Sequence, residues 1–193
     1  MAYSSKTIQA YICAMDNGTV KIVGCTNREG SLTKQLADFY ARSVCQAGHT
    51  ADVLCMDALP PAFVLRSLYM PSSAQQTAFR EISDAMEQTQ KYVFIVPEYN
   101  GSFPGVFKAF LDGLRFPQVF KDKKCALVGV SAGTQGASLA LSHLTDIFHH
   151  AQMHVYPLKL RLGGIKDSRL ETVLSHPTYP SLLQEQIKGM LSY

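Results

Sequence analysis

The stretch YVFIVPEYNGS, residues 92–102, decides the fold class of this chain. Its first five residues are an unbroken run of β-branched and aromatic side chains, which is typical of a strand buried on both faces in a parallel sheet. Pro97 ends that run, and the polar residues after it predict a loop at the carboxyl end of the strand. Because ligands bind at this edge of a parallel sheet, we expect functional residues in that loop.

Strands and helices alternate along the chain on both sides of this run. Strands are predicted at 20–23, 51–56, 92–96, 125–130 and 153–156, and helices at 32–45, 73–90, 104–114, 136–151 and 181–191. Such alternation favours an α/β fold with a parallel sheet, and right-handed crossovers restrict it to a few doubly wound orders. Three loops then lie at the carboxyl edge: the first loop (25–33), the second loop (97–104) and the third loop (131–137).

Length and composition predict one globular domain. Hydrophobic residues make up 47% of the 193 residues and charged residues 17%, which excludes a disordered or fibrous chain. The net charge of +3 is too small to predict a nucleic-acid or anionic-membrane partner. Residues 1–18 are predicted to be an N-terminal extension, and residues 19–193 the single domain.

The cysteines and the N-terminal stretch predict a reduced protein of the cytoplasm. The five cysteines include no C-x-x-C pair, so neither a disulfide framework nor a zinc site is expected. Residues 1–15 lack the apolar run of about 7–15 residues that a signal peptide requires. His149, His150 and His154 fall at a helix end and a strand start, so no metal site is predicted there.

The first loop joins a predicted strand to a predicted helix and is rich in hydroxyl groups. Its candidate binding residues are Thr26, Arg28, Ser31 and Thr33. Peptide N–H groups at a helix start favour an anion, and a guanidinium can bind two phosphate oxygens at once. The spacing is neither a Walker A motif nor G-x-G-x-x-G, so a single terminal phosphate is expected. The same residues equally fit a helix start capped by a serine or threonine, with the arginine in solvent.

The second loop combines a rigid proline, a glycine and small polar groups, which would let the backbone approach a flat heterocycle. Its candidate binding residues are Pro97, Glu98, Tyr99, Asn100, Gly101 and Ser102. A simpler interpretation also stands, in which Asn-Gly is a turn dipeptide and the tyrosine a surface aromatic.

Together these loops resemble those of the NADPH-dependent FMN reductase family of flavodoxin-like proteins, which includes quinone, azo-dye and chromate reductases. The family's first loop reads approximately G-[ST]-x-R-x-x-S-x-[NT], and its second reads P-E-Y-N-[GH]-S, which residues 97–102 match throughout. Residues 131–136 (SAGTQG) resemble the family's third loop. Cys25 and Ala137 stand where glycine is usual, and Cys25 is expected to crowd the phosphate turn and weaken flavin binding.

The resemblance implies a three-layer flavodoxin-like sandwich with a five-stranded parallel sheet in the order 2-1-3-4-5. It implies that the first loop holds the FMN phosphate and the second supports the isoalloxazine ring. The third loop would approach the edge of that ring through Ser131, Gly133 and Thr134. No catalytic side chain is implied, because the protein mainly positions the flavin.

The same resemblance implies an enzyme that takes a hydride from NADPH or NADH and passes electrons through FMN to a small-molecule acceptor. A quinone, an azo compound, chromate or free flavin would each suit that role. The family commonly forms homodimers or homotetramers, so an oligomer of this chain is implied as well.

Two other functions stay open on the sequence. A flavodoxin-type electron carrier would share the fold, although such carriers are usually acidic and this chain is mildly basic. Residues 129–133 (GVSAG) also match G-x-S-x-G between a predicted strand and helix, the context of a hydrolase nucleophile elbow. Ser131 would then be the nucleophile, with Asp146 or Asp167 and His176 completing a triad.

Overall fold

The computed structural model describes residues 9–11, 18–59 and 74–193, with the backbone alone at 9–11 and 74–78. The strands in these ranges are β1 Gln9–Tyr11, β2 Thr19–Gly24, β3 Thr50–Cys55, β4 Lys91–Pro97, β5 Lys124–Val130, β6 His154–Val155 and β7 Leu160–Leu162. The helices are α1 Leu32–Gln46, α2 Ala74–Gln88, α3 Gly105–Gly113, α4 Ser138–His150, α5 Leu170–Leu174 and α6 Tyr179–Ser192. Among these helices, none is long and apolar enough to cross a membrane.

The strands form one sheet in the order β1-β3-β2-β4-β5-β6, with β7 also paired to β5. All strand pairs among β2 to β7 are parallel. This confirms the predicted fold and the order 2-1-3-4-5. The edge strand β1 lies within the predicted N-terminal extension and pairs antiparallel with β3, Gln9 opposite Val53. The remainder of that extension up to residue 17, with Cys13, lies outside the described residues.

The fifth parallel strand differs from its prediction. Instead of one strand at 153–156, two short strands pair with β5: β6 through Lys124 and His154, and β7 through Val128 and Leu160. Pro157 lies between them and has no N–H to donate to the ladder, so strand pairing stops there and resumes three residues later. Neither β7 nor the segment that continues from it beside the third loop is predicted by the sequence pattern.

The sheet lies between two helical layers. Val93 and Ile95 of β4 face α1 and α6, whereas Tyr92, Phe94 and Val96 face α2, α3 and α4. All five side chains are fully buried, as the apolar run predicts. Each contributes roughly 1.5–3 kcal/mol of burial free energy, so this strand anchors the core and fixes where the second loop begins.

Candidate functional site

The three loops leave the sheet side by side because β2, β4 and β5 are neighbours. The Cys25 N–H donates to the Ile95 carbonyl at 2.9 Å, and the Glu98 N–H donates to the Val130 carbonyl at 3.0 Å. Each loop therefore begins at the same level of the sheet edge. The predicted candidate residues, which are far apart in the sequence, are brought to one end of the molecule.

The first loop has the features of an anion-binding helix start. Ser31 caps α1 by accepting a hydrogen bond from the Lys34 N–H at 3.3 Å, and the first turn holds no acidic residue. Residues 27–30 are exposed, and within the described part of the chain the N–H groups of 27, 29 and 30 have no protein acceptor. The Arg28 N–H instead donates to Thr26 Oγ1 at 3.2 Å. The loop therefore offers several free donors and a guanidinium in solvent.

Both interpretations of this loop describe part of what is seen. Ser31 is the helix cap that the simpler interpretation expects, and Arg28 is exposed. Capping uses a lone pair of the serine oxygen, so its O–H proton is still able to donate to a ligand. Thr33 is buried to 2% exposure in the first turn of α1, so its hydroxyl is less accessible than the sequence pattern implied.

Cys25 does not crowd the phosphate turn as expected. Its side chain is fully buried in the core beneath the loop, and its thiol donates to the Val23 carbonyl at 3.6 Å. Burial raises the pKa of this thiol well above its usual value, and the nearby Cys55 adds to the rise. The group is therefore a neutral core thiol, and the turn above it stays open.

The second loop is a tight turn across Asn-Gly. Tyr99 and Ser102 exchange backbone hydrogen bonds of 2.8 and 3.1 Å, and Asn100 and Gly101 have φ angles of 51° and 77°. Positive φ at both central positions is typical of a type I′ turn, for which Asn-Gly is the favoured pair. The Asn-Gly pair therefore forms the turn that its residue types predict. A side chain added at Gly101 would meet nothing within 4 Å, so the turn presents an open face.

Two contacts tie the second loop to its surroundings. The Tyr99 hydroxyl lies 2.9 Å from Thr26 Oγ1 of the first loop, so this tyrosine is more than a surface aromatic. The Ser102 hydroxyl lies 2.9 Å from His143 Nδ1 on α4. His143 was missed by the sequence analysis, and no local pattern marks it. Glu98 is exposed beside the turn, and Pro97 is the last residue of β4.

The third loop passes close over β5. A Cβ at Gly129 would lie 2.3 Å from the Gly136 carbonyl oxygen, so glycine is needed for this close approach. Gly133 and Thr134 are exposed at the sheet edge. Ala137 has a φ of 61°, a left-handed conformation that costs a non-glycine residue about 1–2 kcal/mol. Its methyl group is fully buried, and burial worth about 0.8 kcal/mol offsets part of that cost.

The side chains proposed for a hydrolase do not form a triad. A nucleophile and its base need to be within hydrogen-bond reach of each other. Ser131 Oγ instead donates to the Gly133 carbonyl at 2.8 Å, and His176 Nδ1 contacts Thr178. Asp167 accepts hydrogen bonds from Arg169 and Thr172. The G-x-S-x-G match is therefore explained by a close-packed turn and does not support a hydrolase.

Known proteins resemble this chain in sequence and fold. The model of the NADPH-dependent FMN reductase family matches residues 19–163. A 2-hydroxy-1,4-benzoquinone reductase from Burkholderia sp is 32% identical over 133 residues, 65% of this chain and 67% of that protein. A subunit of the NADH:(hydroxy)cinnamate reductase from Vibrio ruber is 29% identical over 133 residues, 68% of this chain and 62% of that protein.

The matches thus span about two thirds of each curated relative. Among solved structures, the apo form of an NADH:FMN oxidoreductase superposes with a TM-score of 0.75. The two proteins are 20% identical, and the superposition covers 91% of this chain and 89% of that protein, which establishes the shared fold. With the loops, the sheet order and the matched region in agreement, the chain belongs to the NADPH-dependent FMN reductase family.

Proposed function

We propose that this protein binds FMN without covalent attachment at the three loops, takes a hydride from NADPH or NADH, and reduces a small acceptor. The observation that carries the proposal is the contact between the Thr26 and Tyr99 hydroxyls. It joins a helix start with free N–H donors to an open Asn-Gly turn on the neighbouring strand. FMN has a phosphate group at one end and a flat ring at the other, and these loops suit one end each.

The first loop would hold the phosphate. Among the residues that the structure describes, the N–H groups at 27, 29 and 30 have no protein acceptor, so they, the Ser31 hydroxyl and the guanidinium of Arg28 would be donors to a dianion. A hydrogen bond to a charged group contributes roughly 1.5–3 kcal/mol. Because the first turn of α1 has no acidic residue, the positive end of the helix dipole is not offset there.

The second and third loops would hold the ring. The rigid Asn-Gly turn has an open face at Gly101, and Gly133 and Thr134 are exposed beside it. Backbone groups of such loops can hydrogen-bond the polar edge of a flat heterocycle. When bound there, FMN would supply the hydride chemistry, while the chain positions the ring and sets its surroundings.

We infer a quinone as the first acceptor class to test. The Burkholderia relative is named as a benzoquinone reductase, and two thirds of its length aligns with this chain. Azo compounds, chromate and free flavin are the other acceptors that the family resemblance implies. A one-electron carrier of flavodoxin type is the competing function with the same fold.

We further infer a homodimer or homotetramer in a reducing compartment such as the cytoplasm. Two large apolar side chains are exposed: Phe116, just after the helix that follows the second loop, and Leu139, on the helix that follows the third loop. Cys25, Cys55 and Cys125 are buried free thiols, which is usual where thiols stay reduced. Light scattering of the purified protein would measure its mass in solution.

The decisive experiment follows the flavin directly. Purified protein is mixed with FMN, desalted and scanned for the visible flavin bands, then treated anaerobically with NADPH or NADH. We expect retained flavin, rapid bleaching, and recovery of colour on addition of benzoquinone. Retained flavin that neither nicotinamide reduces would favour the electron carrier. A protein that loses all added FMN would contradict the proposal.

A further inference from the structure

The hydroxyl of Tyr179 makes two hydrogen bonds to one residue. It accepts from the Gly163 N–H at 3.1 Å and donates to the Gly163 carbonyl at 3.0 Å. Tyr179 is the first residue of α6, and its ring stacks on His176 with centroids 3.7 Å apart and planes 13° apart. The stacking holds the ring in place, so the hydroxyl stays hydrogen-bonded to Gly163, the residue immediately after β7.

The backbone at Gly163, which Tyr179 binds, packs closely against the third loop. A Cβ at Gly163 would lie 2.5 Å from the Thr134 carbonyl oxygen and 3.0 Å from that of Gly133. The two residues that follow donate their N–H groups to the loop, Gly164 to the Gly133 carbonyl at 2.8 Å and Ile165 to the Ser131 carbonyl at 3.1 Å. We call residues 163–165 the buttress, because they support the loop from behind.

The chain beyond the buttress is held at a second point, on α1. The Gln35 side chain donates to the Ser168 carbonyl at 2.5 Å and accepts from the Leu170 N–H at 3.2 Å. Gln35 lies in the turn of α1 that follows the first loop. The segment 163–170 is therefore fixed at one end by Tyr179 and at the other by Gln35, and it cannot shift freely relative to either loop.

We propose that Tyr179 is a positioning residue for the flavin site, acting on the third loop through the buttress. This inference rests on the proposed function, because only then does the third loop contact FMN. Tyr179 lies 16 residues beyond Gly163, where the match to the family model ends. It touches neither the phosphate end nor the ring end of the candidate site. Its effect is on where Gly133 and Thr134 lie.

The test compares Tyr179→Phe with Tyr40→Phe. The Tyr40 hydroxyl donates to Gln186 Oε1 at 2.7 Å and so links α1 to α6, but it contacts none of the three loops. Each variant loses a tyrosine hydroxyl whose hydrogen bonds connect α6 to another part of the protein, and each keeps the ring. Thermal unfolding first establishes that each variant is folded and how much stability it has lost.

Amide hydrogen exchange on the FMN-free protein gives the first readout. We expect the Gly164 and Ile165 amides of Tyr179→Phe to exchange on the order of tenfold faster than in the wild type, because the Tyr179 hydroxyl no longer holds Gly163, the residue next to these donors. In Tyr40→Phe these amides should be protected as in the wild type. Unchanged exchange in Tyr179→Phe, or equal loosening in both variants, would overturn the proposal.

FMN binding gives the second readout. In Tyr179→Phe we expect the dissociation constant to rise on the order of tenfold and the visible flavin bands to shift. Tyr40→Phe should leave both unchanged. A role in folding stability alone would lower the unfolding temperature without moving the bands, and that result would also overturn the proposal. Wild-type protein that fails to bind FMN would refute the proposed function, while hydrogen exchange would still decide whether Tyr179 sets the loop.

Discussion

Thr26 and Tyr99 are 73 residues apart in the chain, and their hydroxyl oxygens lie 2.9 Å apart at the edge of the sheet. Thr26 also accepts from the Arg28 N–H, so one hydroxyl shapes the first loop and joins it to the second. The two loops are thereby set relative to each other before any ligand arrives. Such preorganisation lowers the cost of ordering a site on binding.

This contact predicts coupling between the two loops in FMN binding. Thr26→Val and Tyr99→Phe should each weaken binding by about 1 kcal/mol, the usual net value of a neutral hydrogen bond. Because both remove the same link, the double variant should lose less than the sum of the single losses, with a coupling of about 0.5–1 kcal/mol. Titration of FMN into the four proteins measures this, and strictly additive losses would argue against the link.

Arg28→Ala should weaken FMN binding by roughly 1.5–3 kcal/mol, the range for a hydrogen bond to a charged group. The matched control is Arg42→Ala. Arg42 is also exposed, but it lies in the second half of α1, away from the first loop. Both variants lose one positive charge, so a difference in FMN affinity between them does not come from net charge. Fluorescence titration with FMN separates them, and equal affinities would remove Arg28 from the phosphate site.

Gly129→Ala should destabilise the protein by about 2–3 kcal/mol, as is typical of overpacking. The added methyl group would lie 2.3 Å from the Gly136 carbonyl oxygen, which is backbone, and 3.0 Å from the Ala137 Cβ, which is bonded directly to backbone, so neither atom can easily move. Gly105→Ala is the matched control, because a Cβ there meets nothing within 4 Å. Chemical denaturation should show little change in the control, or a gain of up to about 1 kcal/mol.

The Asp167 carboxyl should titrate well below its ordinary pKa. Hydrogen bonds from the Arg169 side chain, then from Thr172 and from the Arg169 N–H, lower the pKa of Asp167 to about 2. The unfolded chain binds this proton near its ordinary pKa of about 3.9, so the contribution to stability is present above that pH and is lost as pH falls toward 2.

Proton titration followed by NMR measures this pKa. In Arg169→Ala we expect it to rise toward the ordinary value, because the largest cause of the shift has been removed. A wild-type carboxyl that already titrates near its ordinary value would show that the contacts with Arg169 and Thr172 do not persist in solution.

Local patterns were enough for the central strand and for the turn in the second loop. The apolar run at 92–96 predicts a strand buried on both faces, and all its side chains are buried. The Asn-Gly pair predicts a tight turn, and Asn100 and Gly101 form one. Both inferences succeed because strand burial and turn geometry depend on residues that are adjacent in the chain.

By itself, then, the sequence determined the α/β class and the three loops at one edge of the sheet, and its resemblance to the family implied the strand order. The tertiary structure alone decided that Cys25 lies in the core, that Pro157 divides the last strand, and that Tyr179 holds the backbone behind the third loop. The physical reason is distance along the chain. Contacts such as those of Tyr179 with Gly163 and of Thr26 with Tyr99 join segments that no local periodicity relates, and they exist only once the sheet and its helices have packed.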